Sequence, residues 1–361
     1  MSAPARAKPT VAIAGGGIIG MSIAWRLAQR DFTVAVFEKA RIGGEASWAG
    51  AGMLAPGGEV ADASPLASLC LESRSSYAAF VRELEQASRE RIDYQECGAL
   101  DLAYSDEELQ MLEERAARQH EIGIASKAVS AAEIKTFWPH VRTERLTGGR
   151  FYEGDAIVDP RDVVRALASA SRGLGVEVIE NCPVYSAAID RARVTVKTQR
   201  GTERCDALVI AAGAWSSSIP VSGTATLPPV EPVRGHLIGY RQPDQTCSTI
   251  IRRGHTYLLQ RANGLLIAGS SMERTGFDRT LDPLTLAKLE EEAGFVLPHL
   301  RETTPSERWT GFRPASDQLH IGAWDCRQLY LAYGHFRNGI LLAPVTADRV
   351  AAEISANLQK R

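Results

Sequence analysis

The stretch "VAIAGGGIIGMSIAWRLAQRDFTVAVFEK", residues 11–39, constrains the fold of this chain more than any other. Val11–Ala14 reads as a short buried strand, and Ile18–Leu27 repeats apolar residues at helical spacing. Between them Gly15, Gly17 and Gly20 fall in the pattern G-x-G-x-x-G. The first glycine of that pattern makes a tight turn, the second lets backbone approach a pyrophosphate, and the third lets helix pack closely on strand. The start of the helix offers free N–H groups and the positive end of its dipole to phosphate. A second strand, Thr33–Phe37, ends at Glu38, about 20 residues beyond the glycines, where an acid binds ribose hydroxyls. A glycine-rich reversal alone also serves as a plain turn. Strand, helix, second strand and acid in register point instead to a dinucleotide site on a Rossmann-like α/β fold.

The chain has 361 residues, which suggests two domains of about 150 residues each. Hydrophobic residues at 45% and charged residues at 23% are ordinary for a soluble globular enzyme. A net charge of −2 gives no reason to expect nucleic acid or an anionic membrane as partner. No apolar run approaches the ~20 residues of a membrane span. The opening "MSAPARAKP" reads as a frayed tail, because no apolar core follows its basic residues as in a signal peptide. Cys70, Cys97, Cys182, Cys205, Cys247 and Cys326 form no C-x-x-C pairs or histidine clusters. That scatter argues against a metal site or a disulfide framework and for a reducing cytoplasm.

Further along, helices are expected over 65–88, 105–120, 130–139, 159–175, 283–297 and from about 338 to 358. "VEVIEN", "VYSAAI" and "RVTVKTQ" alternate like a β-meander and lead into the buried strand "ALVIAAG". More strands are expected between 230 and 275 and around 306–313 and 328–333. "RIGGEASWAGAGML" (41–54) looks too irregular for a regular element. The expected organisation is a discontinuous dinucleotide domain over 1–88, 150–228 and 315–361. A mainly antiparallel β substrate domain flanked by helices, over 89–149 and 229–314, interrupts it.

Four separated segments look built for one long ligand. They are the fingerprint, "GGEASWAGAGML", "VIAAGAWS" with Ala212, Gly213 and Trp215, and "YGHFRNGILLAP" (333–344). FAD is longer than NAD, and its flavin end must be held by distant parts of the chain. The fourth segment is expected to aim a second helix start at the flavin ring, which becomes anionic on reduction.

These segments carry a resemblance over nearly the whole chain. With "VDP" (158–160), "VRG" (233–235), "HTY" (255–257), "GSSM" (269–272) and "WTGFRPASD" (309–317), the chain resembles the glycine oxidase group of D-amino-acid-oxidase-like FAD amine oxidases. That group includes bacterial enzymes serving thiazole synthesis. The resemblance implies non-covalent FAD and oxidation of glycine, sarcosine and small D-amino acids by O2, giving H2O2 and an imine that hydrolyses. A homo-oligomer is expected. Carried over position by position, Ile18 and Ile19 lie by the pyrophosphate, and Glu38 and Lys39 by the adenosine. Ala46, Ser47, Ala51, Gly52 and Met53 follow the cofactor inward, and Val184 lies near the adenine. His335, Phe336, Arg337, Asn338, Gly339, Ile340 and Leu341 surround the isoalloxazine.

An amino-acid substrate needs a carboxylate anchor, and a planar guanidinium binds both oxygens at once. Arg313 matches the substrate arginine of the resembled group, and Arg337 a second residue near the substrate. Tyr257 and Met272 match residues lining the pocket. His255 is expected on the same strand face as Tyr257, as a hydrogen-bonded wall residue rather than a base. No side chain stands out as an obligatory base, which fits hydride transfer governed by positioning. Two departures from the group leave substrate preference open: Gln318 and His320 in "DQLHIG", and Trp48 in the cofactor loop. Alternative readings are a flavin dehydrogenase passing electrons to a quinone or protein acceptor, and a flavoprotein subunit without its own turnover.

Overall fold

The computed structural model describes residues 8–190 and 193–359. The tail expected over residues 1–9 therefore lies mostly outside the described residues. Of its described end, Lys8 pairs with Asp31, and the Pro9 carbonyl accepts the Thr33 N–H.

The fingerprint strand Thr10–Ala14 sits inside a six-stranded sheet. The spatial order is 320–324, 326–333, 207–210, 10–14, 33–37, 177–179. All pairs are parallel except the edge pair His320–Trp324 with Cys326–Tyr333. Alternation along Thr10–Ala14 divides its side chains between two layers. Val11 and Ile13 join the cluster under the helices, whereas Ala12 and Ala14 join the cluster under a four-stranded sheet. On the helical side Ile18–Ala28 packs against Pro160–Gly173 and Ala343–Leu358.

The second large sheet has eight strands in the order 307–315, 231–241, 265–269, 256–260, 250–253, 99–103, 148–152, 127–130. It is antiparallel except between Ile250–Arg253 and Ala99–Ala103. One face, with Leu258, Leu266 and Ile238, is covered by the helix Pro283–Val296 and its neighbours. The other, with Tyr257, Leu259, Leu237 and Ile267, shares a core with the six-stranded sheet and its helices. The architecture is thus a Rossmann-like α/β layer joined to a mainly antiparallel sheet flanked by helices.

Helix starts follow local chemistry. Ser64, Asp159 and Asp282 each accept a backbone N–H at a helix start and are each followed by proline. Ser130 and Glu133 form a capping box.

Three expectations change. "VEVIEN" contributes Glu177–Ile179 to the six-stranded sheet, and Gly201–Cys205 supplies the third meander strand instead. The segment 41–54 contains a short helix, Ala46–Ala49, and the strand Met53–Leu54. The last helix begins at Ala343, because residues before it make successive tight turns, with the Asn338 N–H donating to the His335 carbonyl.

Candidate active site

A continuous trough runs from the ends of the parallel strands to the inner face of the second sheet. Phe37, Glu38, Lys39 and Val184 line one end, Gly15, Gly17, Ile18 and Ile19 the middle, and Tyr257, Arg313 and Arg337 the other end. Ligands of open parallel sheets bind at this carboxyl edge of the strands.

The nucleotide end is built around Glu38. Its Oε2 accepts the Gly16 N–H at 2.8 Å and its Oε1 accepts the Ala40 N–H at 3.0 Å. A carboxylate has about four acceptor positions, so capacity remains for ribose hydroxyls. Gly15 has φ +109°, and a Cβ there would lie 2.4 Å from the Ala211 carbonyl oxygen. Only glycine allows that reversal. Gly20 does not line the trough. A Cβ there would lie 2.0 Å from the Gly15 carbonyl oxygen, so its role is close helix–strand packing. The helix it belongs to has no acid in its first turn, and its N-cap Gly17 brings no capping side chain. Ser47 Oγ accepts the Ile18 N–H at 2.9 Å. The surroundings of this helix start suit an anion.

The middle of the trough is walled by Ala46, Ser47, Ala51, Gly52, Met53, Ala212, Gly213 and Trp215. Gly213 has φ +55° and open space where a Cβ would be. Lys39 Nζ stands 3.0 Å from the centre of the Trp215 ring and 3.1 Å from Glu45 Oε1. Glu45 also takes Arg279 at 2.6 Å. Phe277 stacks on Trp215 at 4.6 Å. The segment 270–282 thereby reaches from the second sheet over the rim of the trough.

At the far end, alternation along Thr256–Gln260 points Tyr257 inward. Arg313 donates from Nη2 to Ser270 Oγ at 2.6 Å and from Nη1 to the Ser271 carbonyl at 3.1 Å. Burial pulls its guanidinium below the ordinary value, with the nearby Tyr257 opposing this. Among the described residues no carboxylate lies within 4.0 Å of it. An arginine keeps its proton in proteins, so this is a half-buried cation with no ion-pair partner among the described residues. Burial pushes the Tyr257 phenol up, so it stands as a neutral hydrogen-bonding group.

His335, Phe336, Asn338, Gly339 and Ile340 also line this end. His335 Nε2 lies 3.0 Å from Thr346 Oγ1, and burial pulls its imidazole down to about 3, so it is neutral near pH 7. Leu341 falls behind the trough, buried, with its carbonyl accepting from Ser73 Oγ.

Two expected site residues lie elsewhere. His255 is exposed in the turn before Thr256, outside the ladder that orients Tyr257. Met272 is 62% exposed. Arg234 and Glu273 exchange backbone hydrogen bonds, the side chains of Ser271 and Glu273 turn to His236 and Arg234, and Met272, between them, faces out. Two charged residues that line the trough, Glu45 and Glu59, have no signal in the sequence that marks them as site residues. Glu59, in "PGGE" just after the second glycine-rich segment, lines the trough and pairs with Arg337 at 2.8 Å.

A phosphate-binding turn, a ribose acid and a trough continuing to a half-buried arginine without an ion-pair partner define a flavin-dinucleotide oxidoreductase. The model for the DAO family, "FAD dependent oxidoreductase", matches residues 10–353. The chain belongs to that family and is an FAD-dependent oxidoreductase. It is 32% identical to the glycine oxidase of Geobacillus kaustophilus over 345 residues, 94% of this chain and 91% of that one. The crystal structure of glycine oxidase from Geobacillus kaustophilus superposes with a TM-score of 0.90 at 30% identity, covering 97% of this chain and 95% of that chain. The bifunctional protein ThiO/ThiG of Synechocystis is 33% identical over 94% of this chain, which spans 51% of that longer protein.

Proposed function

We propose that this protein oxidises glycine, N-substituted glycines such as sarcosine, and small D-amino acids. The observation that carries this reading is Arg313, a half-buried guanidinium with no ion-pair partner among the described residues, at the end of the trough opposite Glu38. A cation placed so is completed by an incoming carboxylate.

Bound FAD would supply the acceptor for a hydride from the substrate α-carbon and the route by which those two electrons reduce O2 to H2O2. The residues do the positioning. Arg313 fixes the carboxylate, and Ser270 and Ser271 fix Arg313. Tyr257 offers its hydroxyl beside the carboxylate, while Leu237, Phe312 and Ile340 present apolar wall. Holding the α-C–H about 3–3.5 Å from its acceptor is the main contribution the protein makes. The imine product hydrolyses to the oxo acid. Non-covalent attachment is supported by a lining without cysteine and by a His335 already engaged with Thr346. Six free thiols suit the cytoplasm. Likeness to ThiO/ThiG supports a place in thiazole synthesis for thiamine.

The test is an aerobic peroxide assay with glycine, sarcosine and D-alanine, run beside an artificial electron acceptor. Peroxide formation is expected. Turnover with the acceptor alone would assign a dehydrogenase, and failure of every amine to bleach the flavin would overturn the reading.

A further inference from the structure

We propose that Glu59 restricts the substrate site to compounds with a single carboxylate by neutralising Arg337. The inference rests on the reading above, in which Arg313 takes the substrate carboxylate.

Three charged side chains lie at the substrate end of the trough: Arg313, Arg337 and Glu59. Glu59 Oε1 and Arg337 Nη2 are 2.8 Å apart, and the Glu59 side chain is the more buried, at 13% exposure against 40%. Arg313 keeps no carboxylate partner among the described residues. The end therefore carries one uncompensated positive charge, which one carboxylate cancels. A second carboxylate on the same substrate meets an arginine already paired and a glutamate of its own sign. To use Arg337 it must displace Glu59 and leave that carboxylate half-desolvated and unpaired. Like charges brought together, and charges stripped of partners, are how sites reject near-cognate ligands.

Glu59 is held in this place by buried groups. It ends the short helix Pro56–Glu59. The Gly57 N–H donates to Asp155 Oδ1 at 3.2 Å, and Gln119 Nε2 donates to the Gly57 carbonyl at 2.9 Å and to the Val60 carbonyl. Gln119 and Asp155 are both buried. Arg252 pairs with Asp155 at 3.0 Å and with Asp101. Its guanidinium lies against Gly58, where a Cβ would be 2.2 Å from Nη1. An exposed ion pair between mobile side chains contributes little. Here one partner stands on a segment fixed from beneath, and the two residues are 278 positions apart in the chain. A buried network of this kind holds a charge where an incoming ligand must meet it.

The experiment uses the FAD-loaded enzyme and calorimetry with acetate, malonate and succinate, which bind without being oxidised. The proteins compared are wild type, Glu59→Gln, and the double variant Glu59→Gln/Arg337→Gln. Wild type is expected to bind acetate and to bind both dicarboxylates about tenfold or more weakly. Glu59→Gln is expected to raise dicarboxylate affinity relative to acetate by about tenfold, and the double variant to lose that gain. Flavin bleaching by D-aspartate relative to D-alanine should rise in step. A dicarboxylate-to-acetate ratio unchanged in Glu59→Gln, with acetate still bound, overturns the role of Glu59 alone. A gain that survives removal of Arg337 overturns it too. Wild-type enzyme that binds no acetate overturns the carboxylate-anchor reading, and this inference with it.

Discussion

A methyl group on Gly235 would lie 2.3 Å from Nη1 of Arg313, although the residue paired opposite Arg313 on the neighbouring strand is Val233. The guanidinium therefore occupies the space that the missing side chain of Gly235 leaves. Gly235→Ala is expected to push Arg313 off its contacts with Ser270 and Ser271 and to raise KM for glycine by about tenfold, since small misplacements of a positioning group cost that much or more. Flavin content should stay unchanged. Steady-state kinetics beside an absorbance measurement of bound flavin checks both.

Removing the guanidinium itself has a larger effect. Arg313→Ala leaves the substrate carboxylate buried without a partner, a loss of about 2–5 kcal/mol. That corresponds to roughly 30-fold or more in kcat/KM. Arg313→Lys should recover only part of it, because an ammonium lacks the planar fork. An amine without a carboxylate should lose far less. Equal losses for both kinds of amine would assign Arg313 a structural role instead.

Glu38 binds two backbone N–H groups in the protein before any ligand arrives. Glu38→Ala should weaken FAD binding by about 1.5–3 kcal/mol through lost charge-assisted hydrogen bonds. Glu38→Gln, which retains one acceptor oxygen, should fall between. FAD titration of the apoprotein, with melting temperatures of the same samples, separates ribose contact from loop support. A drop in melting temperature at unchanged affinity would make Glu38 a purely structural acid.

His335 makes stability depend on pH. Its folded-state value, about 3, lies below the ordinary 6.5. Between those values the unfolded chain binds a proton that the folded protein does not. Stability is therefore fully present above about pH 6.5 and falls as the pH drops toward 3. One such group contributes up to about 1.4 kcal/mol per pH unit. His299 and His320 are also pulled down by burial, so part of the slope belongs to them. His335→Gln should flatten the dependence between pH 6.5 and 4.5 without abolishing it, as read by chemical denaturation at fixed pH values.

Much of this fold was legible because its punctuation is local. Ser64–Pro65, Asp159–Pro160 and Asp282–Pro283 announce helices by chemistry that acts within one turn. The strand Ala99–Ala103 escaped notice because a charged residue, Asp101, stands in the middle of five buried ones, held there by Arg115 and Arg252. Its neighbour begins with Gly148 and Gly149, and a Cβ at Gly149 would lie 2.3 Å from the Asp101 carbonyl oxygen. Glycines that read as a loop are there for close approach of two strands. The apolar run Ile340–Leu342 extended the last helix too far upstream, since hydrophobic spacing does not distinguish tight turns from a helical start. At the site, the fingerprint and Arg313 stood out through their neighbours in sequence. His255 did not fall where alternation put it, nor Met272 where the resemblance put it, because both lie just beyond the end of a ladder. Glu59 sits on four residues of helix, too short to carry a period, and its partner Arg337 is far away in the chain.

The strand Ala207–Ile210 lies between Thr10–Ala14 and Cys326–Tyr333, so the central sheet is assembled from the beginning, middle and end of the chain. Ala332 and Tyr333 of the last of these line the trough. Domains of many proteins fold as they leave the ribosome, N-terminal part first. Here the fingerprint emerges early but has no neighbour on one side until Ala207–Ile210 follows, and the sheet edge beyond that strand stays open until the C-terminal strands appear. An open edge is a template for wrong pairing. The nascent chain must therefore carry an unfinished nucleotide site until Cys326–Tyr333 has been made.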